Sequence, residues 1–343
     1  GHLWNACGMG SVEENYLYAR DVSNLDFLGL TDHEDDVYDE KGWELRKETA
    51  ARYEKAGEFA ALLCFEWSNY RFGHRNVYYR DLTGPLIYPW KEQDIRKVKG
   101  NDVWDARTPE ELWRALDAWG GRAITVPHHP PFSLHPFCWE YWSAKYDRLV
   151  EIYSCWGSSE FADNEIPGHA SDRYARTYVR DGLRRYRFGL IASSDGHDGR
   201  PGNNQSPDIK HHHMYHHLGS GRAAVLAKDL TREAVFDALH ERRCYATTGE
   251  PIILSFRCNG KEMGSELPAG SVPTFDCFAR GTCALREISI IKNGRLAARL
   301  PADMIEETRS WTDPELTNAP AYYYLKAIQR DWEMAWSSPI WIG

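Results

Sequence analysis

The spacing of apolar and polar residues changes once along the chain. Up to about residue 250, short apolar runs such as "LDFLGL" (25–30), "FAALLCF" (59–65), "RAITVP" (122–127) and "RFGLIA" (187–192) alternate with stretches of helical period. In "SVEENYLYARDV", Ser11 and Glu14 have capping-box spacing, and Val12, Tyr16 and Ala19 share one face. "TPEELWRALDAWGG" repeats the device with Thr108 as cap, Pro109 in the first turn, and Leu112, Ala115, Leu116 and Trp119 facing inward. Thr231 opens a third such stretch, with Val235, Ala238 and Leu239 on one stripe. The apolar runs have strand length and stop at polar residues or Pro, so they read as parallel strands buried on both faces.

From Pro251 the period shortens to two. "PIILSFRCNGKEMG" and "EISIIKNGRLAARL" each place an Asn-Gly pair between alternating runs, which predicts hairpins. With "TFDCFARG", "AYYYLKAIQ" and "SSPIWIG" they predict an antiparallel sandwich of six or seven strands. The expected organisation is therefore two domains. Residues 1–250 form an α/β barrel with functional groups at its strand tips, and residues 251–343 form a small β-sandwich accessory domain.

The ends of the apolar runs carry the chemistry. "LDFLGL" meets Asp32 and His33, "FAALLCF" meets Glu66, "RAITVP" meets His128 and His129, and "RFGLIA" is followed by Asp195 and His197. Glu66 is the sharpest of these, because a carboxylate ending an otherwise apolar strand is costly unless it is paired or coordinated. His, Asp and Glu in oxygen- and nitrogen-rich sites suit Mn, Fe or Zn. The tract "HHHMYHH" (211–217) follows a loop rich in Gly, Pro and Asn, and a gating loop over residues 203–217 is expected there.

Bulk properties narrow the partners. The 343 residues carry a net charge of -9, so no global basic field exists to hold nucleic acid. No run of 18 apolar residues occurs, residue 1 is not Met, and no charged-then-apolar leader precedes the first helical stretch. The eight cysteines include no CxxC pair. A soluble, cytoplasmic protein acting on a small molecule is expected, with its oligomeric state left open.

Taken in order, "TDH", "FEWS", "GHRNVYY", "PHHP", "VEIYS" and "IASSDGH" resemble the PHP (polymerase and histidinol phosphatase) superfamily, in particular a bacterial branch that joins a barrel to a C-terminal β-domain. The resemblance implies an irregular seven-stranded (β/α) barrel holding two or three divalent ions (Mn, Zn or Fe) and hydrolysing a phosphoester with a metal-bridging hydroxide. It assigns His2, Glu66 and Asp195 to one metal, Glu66, His74 and His128 to a second, and His33 and His197 to a third. Cys7 stands where a further ligand is usual, and Asp32 adjoins His33. Glu66, His197, His129, Arg75 and Arg200 are the expected catalytic residues, the imidazoles protonating the leaving oxygen and the guanidiniums clamping phosphate. Amide, ester or lactone hydrolysis is the alternative chemistry. A binding module with a degraded metal site is the alternative class.

Overall fold

The computed structural model describes residues 10–33, 40–89, 104–168, 172, 175–203, 220–270, 272–315 and 319–343. The helices begin where their capping residues predict. The Ser11 hydroxyl accepts from the Glu14 amide at 3.1 Å, and the Glu14 carboxylate accepts from the Ser11 amide at 2.6 Å, which opens the helix Val12–Leu17. Thr108 caps Pro109–Trp119, which Gly120 ends in the left-handed conformation, and Thr231 caps Arg232–His240. A longer helix, Glu40–Tyr53, packs on the strand Ala60–Trp67.

The predicted closed barrel is not what these elements build. One open sheet of four strands runs in the order Phe27–Gly29, Ala60–Trp67, Arg75–Tyr79, Ala123–Pro127. Its first pair is parallel, but Arg75–Tyr79 is antiparallel to both of its neighbours. Leu149–Ser154 and Gly189–Ala192 pair in parallel within a separate three-stranded sheet, which meets the first through a bridge between Thr125 and Asp147 and through apolar packing of Leu149 and Ile191 on Ile124 and Val126. The reason for the reversal lies in the connection from Trp67 to Arg75. It is too short for a parallel crossover, which needs a dozen or more residues, so the chain turns back as a hairpin. A set of apolar runs ending in polar residues does not encode strand direction. The seven-stranded PHP-type barrel, and the PHP membership that implied it, are replaced by this multi-sheet α/β architecture.

Apart from the short parallel pair Ile87–Tyr88 and Trp104–Asp105, the remaining described strands form two further sheets. An eight-stranded sheet has the main order Arg222–Val225, Cys244–Thr247, Met334–Ser337, Ala321–Gln329, Leu285–Lys292, Arg295–Leu300, so it takes strands from both sides of residue 250. Facing it lies a four-stranded antiparallel sheet containing Ile253–Cys258, Thr274–Arg280 and Glu306–Thr312. Both Asn-Gly turns form, with Asn259, Gly260, Asn293 and Gly294 all at positive φ.

Every residue of Ala321–Gln329 is buried. Tyr323, Leu325 and Ala327 enter the core between the two sheets, while Tyr322, Tyr324 and Ile328 pack on the other side with Val150, Ile152, Leu190 and Trp336. A strand covered on both faces loses its polar alternation, which explains the apolar run "AYYYLKAI".

Candidate metal centre

The first sheet brings its polar strand ends together. Ala60–Trp67 is buried along its whole length, and Glu66 is only 1% exposed. The Glu66 amide donates to the Asp32 carbonyl at 2.9 Å, and Glu66 also bridges to His33, so the two strand ends stay in register. His74 precedes Arg75–Tyr79 and is placed by Gly73, whose φ is +80°. A Cβ on Gly73 would stand 2.7 Å from the Phe137 Cα. No other residue fits that turn as drawn.

The Glu66 Oε1 atom lies 2.5 Å from His74 Nδ1 and 3.6 Å from His33 Nδ1. His33 also contacts the Ser68 hydroxyl. His128 follows Ala123–Pro127, with Nδ1 2.8 Å from Glu151 Oε2 and Nε2 3.2 Å from Asp195 Oδ2. Trp156 donates its indole N–H to Asp195, and the Ser193 hydroxyl donates to Glu151. His129 and Asp195 both adopt positive φ, at 31° and 47°. Such backbone gathers where a site over-determines it.

Among the described residues, three groups bring together side chains that each offer one ligand atom, all within 4.8 Å of one another: His33, Glu66 and His74; Glu66, His128 and His129; and His74, His129 and His135. Glu66 belongs to two of them. His135 stacks on His74 with ring centroids 3.9 Å apart. His74 Nε2, His129 Nδ1 and His135 Nδ1 are buried without a hydrogen-bond partner. Buried ring nitrogens without partners, beside a buried carboxylate, fit a divalent cation, and the clustered His and Glu side chains can chelate one.

Electrostatics divide the imidazoles into two kinds. Burial alone would raise the Glu66 carboxyl, but His33, His74 and His128 outweigh it and hold it well below its usual range. Burial pulls His128 down, yet Glu151 and Asp195 reverse this and carry it well above an ordinary histidine. Burial, reinforced by His128 and His74, pushes His129 well down. Burial and the neighbouring His74 lower His135 to about 3. His129 and His135 are therefore neutral at pH 7, the form in which imidazole binds metal.

Other predicted residues lie elsewhere. Asp32 is fully buried with its Oδ2 3.0 Å from Arg46. Arg75 is fully buried as well, directed at Asp147 and at the Tyr141 carbonyl 2.8 Å away, with its guanidinium over the Phe137 ring. Arg200 is exposed, and His197 is buried beyond Asp195 outside the three ligand groups. His2, Cys7, most of the expected gating loop and the whole 211–217 tract lie outside the described residues.

Glu151, Trp156 and His135 were not singled out by sequence. The Glu151 signal is the one that marks Glu66, a carboxylate inside an apolar strand. His135 sits in "PPFSLHP", which has no period to read. A cavity of about 300 Å3, walled partly by Leu28, Leu62, Tyr78 and Ile191, reaches His128 and Asp195.

A family model described as "Protein of unknown function (DUF3604)" matches residues 15–135 and 151–266, and the chain belongs to that family. Uncharacterized proteins of Chlamydia pneumoniae and Chlamydia muridarum are 28% and 31% identical over 97% of this chain. The chain spans about half the length of these curated relatives, 54% and 55% respectively. Among solved structures, PsfC from Pseudomonas syringae PB-5123 covers 62% of this chain and 72% of its own, at 15% identity and a TM-score of 0.34. The soluble domain of PmoD from Methylocystis sp. ATCC 49242 (Rockwell) covers 27% of this chain and 92% of its own, at 11% identity and a TM-score of 0.20. Neither likeness is close enough to carry an assignment of fold or function.

Proposed function

We propose that this member of the DUF3604 family is a metal-dependent hydrolase acting on a phosphoester of a small molecule. One observation carries the reading: Glu66, a buried carboxylate ringed by imidazoles, belongs to two overlapping ligand groups. A carboxylate common to two adjacent cation sites is the usual organiser of two-metal hydrolysis at phosphorus.

Divalent metal bound there supplies Lewis acidity, activating water and offsetting charge on the phosphoryl oxygens. The chain's own residues prepare the site. Glu66 fixes the His74 ring through Nδ1, leaving Nε2 available as a ligand atom. Glu151 orients the His128 ring through Nδ1 while Nε2 faces Asp195, and a carboxylate behind a ligating imidazole sets its tautomer and basicity. His197, buried at the same strand end as Asp195, is assigned to protonate the leaving oxygen. Arg75 is committed to Asp147 and is not free to clamp phosphate.

The test combines metal analysis of protein purified without chelator with phosphate release from p-nitrophenyl phosphate in Mn²⁺, Zn²⁺ or Fe²⁺. Bound metal and metal-dependent phosphate release are expected. Turnover of aryl esters or lactones without phosphate release would move the reaction to carbonyl chemistry, and absence of bound metal would end the hydrolase reading. Among the described residues no helix is long and apolar enough to cross a membrane.

A further inference from the structure

We infer that a second cavity, between the strand pair Ala321–Gln329/Ile340–Ile342 and the segment 183–187, binds a small oxyanion, a carboxylate or a phosphate. Tyr322 and Trp341 are direct cross-strand partners, so their side chains stand together on one face of the sheet. Both line a cavity of about 350 Å3, walled opposite by Leu183, Arg184, Tyr186 and Arg187. None of its lining residues belongs to the three metal-ligand groups.

The case rests on two buried donors. Tyr322 is 5% exposed and Trp341 is 4% exposed. The phenol oxygen of the first and the indole nitrogen of the second have no hydrogen-bond partner. Leaving such groups unpaired is costly, and two in one cavity wall are unusual in a native fold. An indole N–H can only donate, so whatever completes it must bring an acceptor. Burial raises the Tyr322 phenol and keeps its proton on, so it too can donate.

The wall adds further donors. Arg184 reaches Asp181 by a single contact at 3.5 Å, Arg185 reaches Glu140 at 3.3 Å, and Arg187 pairs with Glu266. Arg187 also donates to the Gly343 carbonyl, but a guanidinium has five N–H groups, so each arginine retains capacity after these contacts. Each arginine has an acidic partner, with Glu266 shared between Arg187 and Arg242, and recognition therefore rests on directed donors more than on net charge. A ligand with two or more acceptor oxygens on one small group meets that requirement. The volume lies at the lower end of small-ligand pockets.

Inorganic phosphate and benzoate, titrated separately into the whole chain by calorimetry, test the site and distinguish its two sources. One of the two is expected to saturate a single site, and Tyr322→Phe, which keeps the ring and removes only the hydroxyl, is expected to weaken it tenfold or more. Arg184→Gln should weaken it less, and bound metal should not change in either variant. Without ligand, Tyr322→Phe should raise the melting temperature, because it deletes an unpaired buried group; the gain should shrink when the binding probe is present. Failure of both probes to bind, undiminished binding to Tyr322→Phe, or a ligand-free Tyr322→Phe less stable than the unaltered chain would each overturn the assignment. None of these readouts depends on hydrolytic activity, so this site can fail while the proposed hydrolase stands.

Discussion

The Nδ1 atom of His128 stands 2.8 Å from Oε2 of Glu151, so a histidine at the end of one sheet is oriented by a carboxylate from the middle of a strand in another. Glu151 also accepts from the His129 amide at 3.3 Å and from the Ser193 hydroxyl. It is the hinge between the two halves of the cluster. Glu151→Gln keeps the shape but removes the charge, and metal affinity is expected to fall by about 10- to 100-fold, the usual cost of losing a carboxylate behind a ligating imidazole. Metal titration followed by calorimetry reads this directly, and unchanged affinity would place His128 outside the coordination sphere.

Glu66 is the carboxylate of the ligand groups, and it belongs to two of them, as His74 and His129 also do. A carboxylate offers two oxygens where an imidazole facing a metal offers one nitrogen, so Glu66→Ala should lose more than one equivalent of metal and depress turnover by several orders of magnitude. Glu66→Asp, one methylene shorter, should retain metal but misplace it, so stoichiometry survives while rate does not. Measuring both under equal metal supply separates the outcomes. Full stoichiometry and turnover in Glu66→Ala would show the strand end to be structural.

Much of the local structure was legible because it depends on near neighbours. Ser11, Thr108 and Thr231 cap their helices, and both Asn-Gly pairs turn their hairpins. Glu66 announced itself by sitting in an apolar strand, and Glu151 carries the same mark. Strand direction was not legible in the same way, since it depends on where a connection returns. Its one local clue was the short link from Trp67 to Arg75. His135 was hidden for a related reason: its place beside His74 comes from the fold of an irregular loop. Arg75 reads as a phosphate clamp beside a ligand motif and proves fully buried on Asp147, a partner remote in sequence.

The eight-stranded sheet is tied to the rest of the chain by a buried charge. Lys326 Nζ lies 2.7 Å from both Glu160 and Glu165, and Glu160 also accepts from Tyr324 at 2.7 Å and from Trp336 at 3.0 Å. Lys326→Met leaves Glu160, 1% exposed, without its cation, and should cost about 3–5 kcal/mol. Adding Glu160→Gln should recover a large part, because the stranded charge is then gone. Urea denaturation of the single and double variants checks this; a double variant no more stable than the single would show that packing, not charge, sets the cost.

Gly73 positions His74, and its replacement should disturb metal binding as well as stability. Gly73→Ala demands a positive φ of an alanine and drives its Cβ to 2.7 Å from the Phe137 backbone. Strain of this kind costs about 1–3 kcal/mol, and the backbone shift that relieves it moves His74 relative to Glu66. A lowered denaturation midpoint together with weakened metal binding is expected. A loss of stability with metal affinity intact would mean that His74 follows Glu66 and not the turn before it.

The two kinds of imidazole should leave opposite marks on the pH dependence of stability in the metal-free chain. His135 falls from 6.5 to about 3 on folding. Between those values the unfolded chain binds a proton here that the folded chain does not, so stability falls as pH falls through this window and is level above it. His128 is raised well above 6.5 by Glu151 and Asp195, so its contribution is fully present below 6.5 and is lost as pH rises through its folded value. His135→Phe should therefore flatten the acid limb between about pH 6.5 and 4, while His128→Gln should flatten the slope on the alkaline side. Denaturation midpoints measured across pH 4 to 9, with chelator present, decide the matter. If both variants track the unaltered chain in parallel, the charges at this cluster are set by groups other than Glu151, Asp195 and His74.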